Sequence, residues 1–266
     1  LSPDAIFAGI HAALAERDPA AKCLRVQALA LPEDDFRPPP RKDEGDGIPG
    51  RPERPLLIAP RDVPRRGLGS EAGRAALIHA VAHIEFNAIN LALDACWRFR
   101  DLPAAYYRDW LGVAQDEARH FTLLSARLAQ LGVAYGDLPA HNGLWEAAEK
   151  TAQDVLLRMA LVPRVLEARG LDVTPGMIAR LQEVGDAETV AILQVILQEE
   201  VGHVAVGTRW FRQLCAQRGL DPQPTFHRLL AEHRVKVHPP LNREARQQAG
   251  FDADELDRLL TVPSRG

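Results

Sequence analysis

Residues 115–121 read QDEARHF, and residues 198–204 read QEEVGHV. Each holds a Glu-x-x-His: Glu117 with His120, and Glu200 with His203. On an α-helix, residues three apart are surface neighbours, so each pair can turn a carboxylate and an imidazole toward one point. A single match of this kind arises easily by chance in a chain with nine His. Here the match is doubled, and each copy has a forerunner. Glu85 precedes Glu117 by 32 residues, and Glu167 precedes Glu200 by 33. That is an internal repeat of a helix pair.

The surrounding pattern predicts helices. Residues 1 to about 30 read as two short ones. Residues 32–69 are rich in Pro, Gly and charge, so no helix can run through them; an extended segment wrapping the main body is expected. From Ser70 onward, apolar residues recur at helical spacing. Long helices are expected over about 70–100, 103–131, 143–169 and 186–217, the last capped by Asp186. A short helix is expected over 175–184, with others near 222–235 and 252–260. No segment alternates as a strand does. The fold class is all-α: a four-helix bundle over 70–218, an N-terminal region 1–69 and a C-terminal helical extension 219–266.

Charged residues stand on the apolar faces of these helices. Glu85 shares its face with Ile78, Val81, Ala82, Ala88, Ile89 and Ala92. Glu117 and His120 share one with Val113, Phe121 and Leu124, and Glu200 and His203 with Leu193, Ile196 and Val204. Glu167 lies near the end of the third helix, with Leu156 and Ala160 on its face. Buried carboxylates are costly unless paired or bound to a cation. Antiparallel helices joined by a short turn bring such positions to one level of a bundle. Four Glu and two His then match the ligand set of di-iron and di-manganese carboxylate bundles, with two metal positions. Nitrogen and oxygen donors suit iron first and manganese next; zinc would be adventitious.

Other polar residues receive lesser roles. His79 and His83 precede Glu85 but are rotated off its face, so they read as structural histidines, as does His141 in its loop. An acid stands before each motif, Asp116 and Glu199. Arg164 follows Pro163, which should bend the third helix. Arg164 or Arg169 could anchor an anionic substrate group or balance the carboxylates, with a structural salt bridge as the alternative. No residue reads as a nucleophile. Tyr106, Tyr107 and Tyr135 read as packing residues.

Bulk properties exclude other classes. A net charge of −4 argues against nucleic-acid binding as a bulk property. No uninterrupted apolar run approaches the roughly 20 residues of a membrane span, and the N-terminal stretch lacks the charge pattern of a secretory signal. Three separated cysteines form neither a zinc pattern nor a disulfide framework, which favours a reducing cytoplasm.

The stretches HIEFNAINLALDACWRF (83–99), YRDWLGVAQDEARHF (107–121), YGDLPAHNGLW (135–145), VPRVLEARGLDVTP (162–175) and EEVGHVAVGTRWF (199–211) carry a resemblance. Over about residues 50–250 the chain resembles a bacterial ferritin-like family known only as a domain of unknown function. The resemblance implies a ferritin-like bundle with a dinuclear metal centre and no established reaction. The superfamily spans ferritins, rubrerythrins, ribonucleotide reductase small subunits, bacterial multicomponent monooxygenases and a tRNA hydroxylase, so fold constrains cofactor better than chemistry. It further implies that Asp116 orients His203, that Glu199 orients His120, and that Glu117 and Glu200 can shift between bridging and terminal binding. The expected function is an oxidase or oxygenase acting with O2 or peroxide, an external electron donor and a small-molecule substrate. Iron handling by a ferroxidase is the alternative, and a tRNA-modifying hydroxylase the lesser one. A homodimer is left open.

Overall fold

The computed structural model describes residues 2–41, 47–64 and 66–261. Among them every regular element is helical, and an isolated parallel bridge joins Leu57 to Ala140. The chain is therefore all-α. It divides into two compact units, residues 1–146 and 147–266.

The first unit holds α1 (Pro3–Ala15), α2 (Pro19–Gln27), α3 (Glu71–Arg98) and α4 (Ala104–Gln130). Local chemistry sets their ends. Ser2, Asp18 and Ser70 each accept a hydrogen bond from a first-turn N–H of the adjoining helix. Gly73 is required by a close approach, since a Cβ there would lie 1.8 Å from the Gly67 carbonyl oxygen. α3 ends at Arg98, and Pro103 stands at the N-cap of α4. The two long helices fold back on each other as a hairpin. The Cys96 thiol donates to the Tyr107 carbonyl near the turn, and the Phe86 and Phe121 rings meet further along, 5.5 Å apart. α1 packs on α3 and α2 on α4. Lys22 on α2 is buried, and its ammonium donates to the carbonyls of Ala13 and Leu14 and to Asn90 Oδ1.

The segment between α2 and α3 is extended where it is described, apart from a three-residue turn at Pro60–Asp62. Arg108 donates to the carbonyls of Pro32, Glu33 and Asp34. The Gly50 N–H donates to Leu14 O, and Arg51 reaches Asn142 and lies over the Trp145 ring. Ala140 exchanges main-chain hydrogen bonds with Leu56 and Ile58. Residues 42–46 and 65 of the expected wrap lie outside the described residues.

α5 (Gly143–Lys150) spans the division between the units. The second unit continues with α6 (Val155–Leu161), a π-helical segment (Val162–Glu167), α7 (Ala168–Glu183), α8 (Ala187–Gln217), α9 (Pro222–Glu232), α10 (Arg243–Gln248) and α11 (Ala253–Thr261). The expected third helix over 143–169 is thus replaced by two pieces. It breaks at 151–154, where Asp154 caps α6 and takes both ends of the Arg218 guanidinium. Beyond the break the helix runs past 169, through Gly170 and Pro175, to Glu183. Pro inside a helix costs about 3 kcal/mol and Gly about 1. The buried Leu171, Ile178 and Leu181, on the helix that packs on α8, offset that cost. The expectation also lacked α10, a six-residue helix without apolar periodicity, capped by Asn242. Asp186 caps α8 as expected.

By length and composition α3 and α8 are apolar enough to cross a bilayer. Both carry buried Glu and His, and most of the apolar window of α3 is buried within the fold. A core helix passes the same test as a span.

Candidate metal centre

In the first unit, helical spacing puts Glu85 of α3 and Glu117 and His120 of α4 inside the hairpin. All three are buried, none more than 4% exposed. His120 Nδ1 lies 3.1 Å from Glu85 Oε2 and 3.3 Å from Glu117 Oε2. One ligand atom from each falls within 4.8 Å of the others, a grouping that could hold a metal ion. Phe86 and Phe121, the sequence neighbours of Glu85 and His120, pack against Tyr135 beside them.

The electrostatics fit a cation. Burial raises the Glu85 carboxyl well above the usual range, and the Glu117 charge raises it further. Burial alone would lower His120, but its hydrogen bonds to Glu117 and Glu85, with their charges, outweigh it and raise the imidazole. Two buried carboxylates thus draw protons into the space between them. A metal ion would neutralise the same charge and displace those protons. The donor set is two carboxylates and one imidazole, ligands common to several divalent metals.

In the second unit, Glu200 and His203 of α8 are buried one helical turn apart, with His203 Nδ1 3.5 Å from Glu200 Oε1. Leu193, Ile196 and Val204 flank them in the core, as their spacing implied. Glu167 ends the π-helical segment and is half-buried.

The remaining candidates have identifiable surroundings. Asp116 pairs with Arg119 on the half-exposed side of α4. Glu199 is half-buried beside Glu200. Arg164 is buried against Glu255, with its guanidinium among the Phe211, Phe226 and Phe251 rings. Arg169 donates to the carbonyls of His238 and Pro240. Both arginines therefore have structural partners in the chain. His79 accepts the Gly136 N–H, while His83 meets the Tyr135 hydroxyl and the His141 carbonyl. These two histidines hold the loop after α4. Glu255 and Gly207, which shape the surroundings of Arg164 and Pro163, escaped sequence reasoning. Glu255 is 91 residues from Arg164, and no local pattern ties it there.

The chain is similar to known proteins along most of its length. An uncharacterized protein of Haemophilus influenzae is 46% identical over 270 residues, covering 95% of this chain and 93% of its own. No solved structure matches. The family model DUF455, described as a protein of unknown function, matches residues 15–257. The chain belongs to the DUF455 family of proteins of unknown function.

Proposed function

We propose that the protein is a ferritin-like dinuclear metal protein, binding two iron or manganese ions and acting on O2 or peroxide. The observation that carries this reading is the buried Glu85–Glu117–His120 group. Glu200 and His203 repeat its Glu-x-x-His part, and the near-equal spacing of Glu85 and Glu167 supports one shared centre. In this reading Glu85, Glu117 and His120 hold one ion, and Glu167, Glu200 and His203 hold the other. Glu117 and Glu200 would be the carboxylates available to both ions, and α3, α4, the 155–183 helix and α8 would be the four helices of the bundle. A bound ferrous pair would supply electrons to O2 or peroxide, and an external donor would restore them. The chain's own residues neutralise the charge, fix the imidazoles and keep bulk water away.

A second reading, iron handling by a ferroxidase, draws support from burial. Glu85, Glu117, His120, Glu200 and His203 are all at most 9% exposed, a setting better matched to an ion than to a large organic substrate.

Metal analysis of anaerobically purified protein tests the centre. Two ions per chain are expected, with an absorbance change when the iron form meets O2. The Glu117→Ala, Glu200→Ala double variant should lose both ions. No metal in the wild type, or full metal in the double variant, would overturn the reading. Catalytic O2 or peroxide consumption with an electron donor favours the oxidase. Consumption limited to the ferrous iron supplied favours iron handling.

A further inference from the structure

The helix that carries Glu167 is not a plain α-helix at that point. Over Val162–Glu167 it widens into a π turn, and the Ala168 N–H donates to Pro163 O, a step of five residues. A local cause is visible. Pro163 has no N–H to give the preceding turn, so the ladder has already lost a bond there. A π turn holds one residue more than an α turn, which rotates the rest of the helix by roughly 100°. Glu167 is therefore swung off the Leu156–Ala160 face to which uniform α spacing assigns it.

Pro163 packs on Gly207 of α8 so closely that a Cβ at 207 would come within 2.3 Å of the Pro163 Cβ. Gly207 follows His203 by four residues and Glu200 by seven, so it shares their face of α8. The π turn that ends at Glu167 thus packs, through Pro163, on the face of α8 that bears Glu200 and His203.

Arg164 holds this register. Its guanidinium is fully buried and donates through Nη2 to Glu255 Oε1 of α11. Its central carbon lies 4.6, 4.1 and 4.5 Å from the ring centres of Phe211, Phe226 and Phe251. Nε and Nη1 have no hydrogen-bond partner, so Glu255 is the one acceptor for this side chain among the described residues. Relaxation of the π turn to an α turn would rotate Arg164 out of the rings and away from Glu255. A buried charge separated from its counter-charge is strongly unfavourable.

We propose that the Arg164–Glu255 pair is a positioning device for the metal centre: α11, through Glu255, fixes the π register that aims Glu167 at the Glu200–His203 face. This rests on the dinuclear reading above. Cobalt(II) titration of the full chain, followed by its visible absorption, tests it. The wild type should take up two ions. Glu255→Gln should weaken one site 10- to 100-fold, the usual effect of losing a residue that orients a ligand, and leave the other unchanged. The control is Arg246→Gln, which breaks the equally buried pair with Asp172 on neighbouring α10. It should melt earlier and still bind two ions. Should Glu255→Gln not fold, Glu255→Asp keeps the charge but draws it back by one methylene, and the same site should weaken to a smaller extent. Wild-type affinity at both sites in the folded Glu255 variant would overturn the proposal. So would an equal, site-matched loss in Arg246→Gln. A wild type that binds fewer than two cobalt ions would overturn the dinuclear reading, and this one with it.

Discussion

His120 presents one ring nitrogen to two carboxylates, while His83, on the α3 helix that bears Glu85, presents both nitrogens to neutral partners. Burial lowers both imidazoles, and their partners drive them apart. His120 is raised because Glu85 and Glu117 outweigh burial. His83 is lowered to about 4, chiefly by burial, and the His141 carbonyl only partly opposes this. Nδ1 lies 2.9 Å from the Tyr135 hydroxyl, and Nε2 lies 3.0 Å from both the His141 carbonyl oxygen and the Asn87 amide nitrogen, all of them neutral partners. The unfolded chain takes up a proton near 6.5, but the folded chain does not until about 4. Stability from His83 is therefore complete above pH 6.5 and is lost as the pH falls from 6.5 to 4. The loss should amount to about 3 kcal/mol. Chemical denaturation at stepped pH should show that slope in the wild type and its absence in His83→Gln; equal slopes would refute the assignment. The apolar faces read from spacing place Glu85, Glu117, His120, Glu200 and His203, and all five are buried. Spacing works for them because each lies on an unbroken α ladder, where sequence offset converts directly into angle.

Glu167 shows where that conversion fails. An offset-based face assumes 3.6 residues per turn, and the π turn violates it between Val162 and Glu167. The Pro163 signal was present in the sequence and pointed to a bend. A bend and a widened turn are alternative answers to one missing N–H, and the choice lies with α8. Gly207 lets Pro163 sit against the α8 backbone, so the widened turn can pack there without a gap. Gly207→Ala should therefore destabilise the protein by about 1–3 kcal/mol through overpacking. Gly202→Ala on the same helix, where an added Cβ meets nothing within 4 Å, should instead stabilise by up to about 1 kcal/mol. Paired thermal melts decide it, and equal melting temperatures would show that Pro163 yields. The break at 151–154 and helix α10 were illegible for a related reason. Each depends on an ion pair with a distant residue: Asp154 with Arg218, and Arg246 with Asp172.

On the scale of the whole molecule, each unit is built on a helix hairpin: α3 with α4 in the first, and α7 with α8 in the second. The repeated Glu spacing in the sequence matches these two hairpins. What the sequence does not reveal is how the first hairpin is clothed. The extended segment before α3 is gripped by side chains (Phe36 against the Phe7 and Tyr107 rings, Arg41 over Trp97, Arg51 over Trp145) and, between them, by its main chain. Arg108 takes the carbonyls of Pro32, Glu33 and Asp34, Ala140 pairs with the backbone around Leu57, and the Gly50 N–H meets Leu14 O. Replacing Glu33 and Asp34 together with Ala should change the unfolding free energy by less than about 0.5 kcal/mol. Arg108→Ala should cost more, because three carbonyls lose their donor. Gly50→Ala should be the most damaging of the three, since a Cβ there would lie 2.0 Å from the Ala15 carbonyl oxygen. Urea titrations rank them, and a Gly50→Ala variant as stable as the wild type would contradict the packing. Where the strap is recognised by its backbone, it places little demand on its side chains. Through evolutionary time the stretches held by main chain can drift in composition while their length and Gly50 stay fixed, so related chains should align there by spacing and not by residue identity.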